Sequence, residues 1–100
     1  MTKKFDVIWI GTGQATGTVI PRLVAAGKTV AIVEGGKVGG SCVNYGCTPT
    51  KTMVASARAA HVARRGPDFG VQTGEINIDF NKVMNRQNQM RYDASQGMET

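Results

Sequence analysis

The chain has 100 residues, 41% of them hydrophobic, and a formal net charge of +5 from 12 Lys+Arg against 7 Asp+Glu. This length allows one small domain at most, or part of a larger one, with little room to enclose a nucleotide and a second substrate together. Basic residues are scattered, with only Lys3-Lys4 and Arg64-Arg65 adjacent, which reads as a solvated surface and argues against a nucleic-acid footprint.

Phe5-Asp-Val-Ile-Trp-Ile10 opens the chain as a short apolar, β-rich run of the kind found in a buried parallel strand, and Gly11 ends it. Lys3-Lys4 precede this run, but Asp6 interrupts it and it is too short for a signal-peptide core. From Gln14 to Ala26 the residues suit a helix, with Val19, Ile20, Leu23 and Val24 on one face and Gly27 as the stop. Pro21 lies inside and lacks the donor that would reach residue 17, which predicts a kink near Gly17. Thr29-Val-Ala-Ile-Val33 reads as a second buried strand, ended by Glu34 and Gly35-Gly36. Strand, glycine turn, helix and strand make a right-handed βαβ unit.

Residues 35 to 48 read as a glycine-rich connection that carries both cysteines. Thr48-Pro49 predicts an N-cap followed by proline at the first helical position, and the alanine-rich helix it opens runs to about Arg65. Gly66-Pro67-Asp68 breaks that helix. Ile76, Ile78 and Phe80 alternate briefly, and a last helix is predicted from about Asp79 onward. Nothing approaches a membrane-spanning length. A parallel sheet of two strands is not a stable domain by itself, so the chain reads as the front of something longer.

Two stretches carry chemistry. In Gly11-Thr-Gly-Gln-Ala-Thr-Gly17, the first glycine makes the sharp turn after the strand. Gly13 lets backbone N–H groups approach a pyrophosphate, and the helix N-terminus adds partial positive charge. The third glycine of this fingerprint is replaced by Thr16. Glu34 ends the next strand, where a carboxylate can bond the hydroxyls of a ribose. A glycine turn beside an exposed glutamate is the plainer alternative.

The second stretch holds the chain's only two cysteines, Cys42 and Cys47. The chain reads as cytoplasmic, and in a reducing compartment neighbouring cysteines point to catalysis, redox sensing or metal binding. Zinc would need about four ligands, and only His61 and carboxylates remain to complete a set. Two inert buried thiols are a further reading. The preferred reading is a redox-active disulfide. In a regular helix, residues five apart are separated by over about 8 Å between Cα atoms, whereas a disulfide needs less than about 7 Å. The backbone between them must therefore be distorted, and Asn44 and Gly46 tolerate that. The helix start at Pro49 would favour a thiolate.

Gly39-Gly-Ser-Cys-Val-Asn-Tyr-Gly-Cys-Thr-Pro-Thr-Lys51 resembles the active-site signature of the flavin-dependent pyridine nucleotide-disulfide oxidoreductases, which include dihydrolipoamide dehydrogenase, glutathione reductase and mercuric reductase. With the glycine turn and Glu34, the resemblance spans roughly residues 5 to 70. It implies an α/β fold in which residues 1–100 are the N-terminal segment of a doubly wound, Rossmann-like FAD-binding domain, the NAD(P) and dimerisation domains lying elsewhere. It implies FAD as cofactor, NAD(P)H as electron donor and a homodimeric full-length protein, while the scattered charge and the lack of a long apolar stretch predict no nucleic-acid and no membrane partner. Gly11, Gly13, Gln14 and Ala15 would hold the FAD pyrophosphate and Glu34 the adenosine ribose. Gly40, Ser41 and Lys51 would also contact the cofactor, Lys51 near flavin N5. Cys47 would be the thiol facing the flavin, and Cys42 the one that meets a small disulfide or metal-ion substrate. The wording Cys47-Thr-Pro-Thr-Lys-Thr-Met-Val-Ala-Ser-Ala-Arg-Ala-Ala60 is most similar to mercuric reductase-like sequences. His61 does not match the family's catalytic histidine and reads as a helix-surface residue, and Trp9 reads as packing. The competing functional reading is a non-catalytic nucleotide-binding or thiol-carrying fragment.

Overall fold

The computed structural model describes residues 2–99. Strand β1 (Val7–Ile10) and strand β2 (Val30–Val33) pair in parallel, Val7 opposite Val30 and Ile10 opposite Val33. Helix α1 (Thr16–Ala25) crosses between them. The βαβ reading holds, with each strand a residue or two shorter than its apolar run. Asp6 and Thr29 set the register. The Asp6 carboxylate accepts from the Thr29 N–H (2.8 Å) and hydroxyl (3.1 Å), and the Thr29 hydroxyl accepts the Asp6 N–H at 2.9 Å. At the far end, the Gly11 N–H donates to the Val33 carbonyl at 2.7 Å.

Helix α1 continues through Pro21 as one α-helix. It closes on Gly27, which takes a left-handed φ of 77°. The Gly27 N–H reaches the Val24 carbonyl and the Lys28 N–H reaches the Leu23 carbonyl. These two bonds satisfy the last carbonyls of the helix in a Schellman arrangement.

Beyond β2 the structure departs from the sequence reading. The stretch expected to be an irregular connection contains a short helix, α2 (Gly40–Tyr45), followed after one residue by α3 (Cys47–Arg64). Thr48 is therefore not the N-cap. Helix α3 starts at Cys47, so Pro49 is its third residue, where its missing N–H is still one that would have no helical partner. The first i→i−4 bond of α3 runs from Thr50 to Gly46. A 3₁₀ turn (Gly66–Phe69) follows, and α4 (Phe80–Glu99) begins where the helical periodicity placed it.

Helix α4 folds back antiparallel along α3. The Arg86 guanidinium donates to the Thr52 carbonyl (3.2 Å) and the Ser56 hydroxyl (3.3 Å). One turn from its end, the Ser95 hydroxyl donates to the Val38 carbonyl at 2.5 Å, tying α4 to the loop before α2. No helix among the described residues is long and apolar enough to cross a membrane.

The strands were expected to be buried, and here they are not. Ile8 is 67% exposed and Ile10 85%, because only α1 packs against the sheet. Val43 is the only buried apolar residue among the described ones. The chain is 66 Å long with a radius of gyration of 20.2 Å, against about 13 Å for a compact domain of 100 residues. These residues frame a site without enclosing it.

Candidate active site

Cys42 lies within α2 and Cys47 is the first residue of α3, and the two form a disulfide with Cα atoms 4.8 Å apart. A continuous helix would hold them too far apart. Gly46 makes the approach possible: its φ of −120° and ψ of −105° lie outside the helical region and break the chain into two helices. The space is also tight, because a Cβ on Gly46 would sit 3.3 Å from the Cys42 Cα and from the Ser41 carbonyl oxygen. The distortion required by the sequence spacing is therefore at Gly46. Asn44 contributes differently. It is buried, and its amide donates to the Val38 and Gly40 carbonyls at 3.0 Å each, holding the first turn of α2 onto the preceding loop. Cys47 is exposed and Cys42 half-buried. Among the described residues, no group of three or more His, Cys, Asp or Glu is placed to hold a metal ion; His61 is exposed on α3.

The glycine turn lies directly against this segment. A Cβ on Gly40 would fall 2.8 Å from the Gly13 Cα, so the start of α2 touches the turn after β1 backbone to backbone. Gly11 has a φ of 96°, a conformation that side-chain-bearing residues rarely adopt. Nothing lies within 4 Å of where a Cβ on Gly13 would be, and Gln14 and Ala15 beside it are exposed. The turn thus has an open face next to the N-terminus of α1, which fits a phosphate-bearing group. Thr16, in place of the third glycine, is buried, and its hydroxyl accepts the Trp9 indole N–H at 3.0 Å. The added side chain is accommodated by giving Trp9 a polar partner.

Glu34 is half-buried at the end of β2. Its Oε1 accepts the Thr12 hydroxyl at 2.5 Å, and the same hydroxyl oxygen accepts the Gly39 N–H at 3.0 Å. The Thr12 hydrogen bond is the main reason the Glu34 carboxyl lies below its ordinary pKa. Burial opposes this, and the backbone N–H groups of Gly36, Gly35 and Thr12 add to it. Ser41 and Lys51 are exposed on α2 and α3. The structure brings Gly11, Gly13, Gly40, Cys42 and Cys47 into one continuous region, with Glu34 attached through Thr12. Thr12 and Gly39 were not among the residues singled out from the sequence.

A family model described as pyridine nucleotide-disulphide oxidoreductase matches residues 5–98. The chain belongs to this family. Members are FAD-dependent enzymes with NAD(P)H as electron donor. A dihydrolipoyl dehydrogenase of Acholeplasma laidlawii is 38% identical over 87 residues, covering 86% of this chain and 26% of its own length. A mercuric reductase of Bacillus cereus is 36% identical over 86 residues, covering 86% of this chain and 14% of its own. The solved Cu(II) complex of the HOCl-induced flavoprotein disulfide reductase RclA from Escherichia coli superposes with a TM-score of 0.68 at 28% identity, over 97% of this chain and 19% of that one. The chain therefore spans about a quarter or less of the length of these relatives.

Proposed function

We propose that the chain is the N-terminal segment of the FAD-binding domain of an NAD(P)H-dependent oxidoreductase. In this reading its Cys42–Cys47 disulfide carries electron pairs to a small disulfide or a metal ion. The observation that carries the proposal is the disulfide at a helix break, two residues beyond Gly40, whose backbone meets the open glycine turn at Gly13. A structural staple needs no such neighbour.

Gly11, Gly13, Gln14 and Ala15 would hold the FAD pyrophosphate with backbone N–H groups, Glu34 the adenosine ribose, and Gly40, Ser41 and Lys51 the flavin end. FAD, when bound, supplies the step that turns a hydride from NAD(P)H into an electron pair deliverable to sulfur. The remaining steps belong to the cysteines. Two electrons break the sulfur–sulfur bond, and one proton leaves Cys42 as thiol and Cys47 as thiolate. The N-terminus of α3, which begins at Cys47, favours the negative charge there. Cys42 then gives up that proton and, as thiolate, attacks one sulfur of a substrate disulfide, expelling the other as a thiolate that takes the proton up. The Cys47 thiolate attacks Cys42, restoring the bond and releasing the second substrate sulfur as a thiolate that is protonated by solvent.

The similarity to both a dihydrolipoyl dehydrogenase and a mercuric reductase leaves two acceptor classes, and we favour the mercuric reductase-like one on the wording of residues 47–60. The same reading makes the full-length protein a cytoplasmic homodimer. FAD-loaded protein reduced by two electrons should develop a long-wavelength absorbance band that Cys47→Ser abolishes. A protein that stays colourless with FAD would refute the reading.

The open sheet favours a qualification. With Ile8, Ile10, Ile32 and Val33 exposed, a polypeptide of these 100 residues alone is expected to act at most as a nucleotide-binding or thiol-carrying module, with little or no NADPH oxidation.

A further inference from the structure

We propose that Thr12 is the positioning residue for Glu34, setting that carboxylate so that the site distinguishes a ribose from a deoxyribose. The inference rests on the nucleotide-binding role given above to Glu34.

Thr12 is buried, and its hydroxyl has two partners far away in sequence. The Gly39 N–H can only donate, so it occupies an acceptor position on the hydroxyl oxygen. The single hydroxyl proton is then directed to Glu34 Oε1. The order is one-way, from the Gly39 N–H to the Thr12 hydroxyl to the Glu34 carboxylate, and it requires that Oε1 be unprotonated. A carboxylate on the rim of an open turn would otherwise sample several rotamers, each presenting its oxygens differently. With Oε1 held by the Thr12 hydroxyl and backbone N–H groups of Gly35 and Gly36 also facing the carboxylate, the side chain is oriented while lone pairs on its oxygens remain to accept from a ligand hydroxyl. A vicinal diol on a nucleotide whose phosphates lie at Gly13 is the ligand chemistry this arrangement selects. Gly39 has a φ of 112°, and a Cβ on it would strike Val43 at 2.8 Å, so the residue that supplies this donor must be glycine.

The test uses the full-length protein stripped of flavin, with ADP and 2′-deoxy-ADP as competitors of FAD rebinding, followed by flavin fluorescence at neutral pH. Wild type should prefer ADP by about tenfold, as expected for a lost hydrogen bond to a charged group. Thr12→Val, close in shape, should bring the preference to threefold or less, and Thr12→Ser should restore it. A merely structural role would weaken both nucleotides by the same factor and leave the ratio unchanged. That unchanged ratio in Thr12→Val would overturn the inference. If the valine chain does not fold, Thr12→Ala, which only removes atoms, gives the same reading. A wild type that binds FAD but does not discriminate the two competitors also overturns it, while the proposed function stands. A wild type that does not bind FAD defeats both.

Discussion

Gly40 stands so close to Gly13 that a Cβ on it would lie 2.8 Å from the Gly13 Cα. The two glycines are nevertheless not equivalent. Gly40→Ala places a methyl group against backbone and forces alanine into a left-handed φ of 71°. It should destabilise the fold by about 2–4 kcal/mol, visible as a Tm lowered by about 10 °C or more. Gly13→Ala meets no atom within 4 Å, so Tm without FAD should hardly move. The methyl group would instead occupy the space proposed for the pyrophosphate, and FAD affinity should fall by about tenfold or more. Calorimetry and flavin titration of the two variants separate the effects.

Trp9 and Thr16 support a second prediction. Thr16→Val keeps the shape but leaves the indole N–H without its acceptor, at a cost of about 1–2 kcal/mol. Thr16→Gly restores the familiar fingerprint yet removes the same acceptor, so it should lower Tm too. An increase in Tm for Thr16→Gly would show that the Trp9 bond contributes nothing.

Glu34 gives a pH prediction. Its carboxyl is held below the ordinary value of 4.5, chiefly by the Thr12 hydroxyl. The depressed pKa means the folded state binds a proton less readily than the unfolded one. Its stabilising contribution is therefore complete above the ordinary pKa and is lost as pH falls through the lowered folded value. Glu34→Gln should flatten part of the stability loss below pH about 4.5 and leave the neutral-to-alkaline limb unchanged. Urea midpoints across this range, compared with wild type, measure it.

Much of the first half was legible because its signals are local. Two apolar runs ended by glycines gave β1 and β2, and Gly27 gave the end of α1. The bridging of Cys42 and Cys47 followed from their spacing together with a long motif. Helix α2 was not legible. Six residues with glycine at the first position carry no helical apolar stripe, and what holds them is the buried amide of Asn44 reaching back to Val38. Thr12 was missed for the opposite reason. Its partners are 22 and 27 residues away, beyond any local pattern, and it occupies a position in the glycine fingerprint that accepts any residue. The exposure of Ile8 and Ile10 could not be read either, since an apolar run tells what a strand can bury and not what lies on top of it.

The central claim is that the disulfide exchanges electron pairs with a bound flavin. Anaerobic reductive titration of FAD-loaded protein, alongside a variant carrying both Cys42→Ser and Cys47→Ser, tests it most directly. Wild type should take up two electron pairs per flavin, one for the flavin and one for the sulfur–sulfur bond, and the variant only one. One pair per flavin in both proteins would contradict the account.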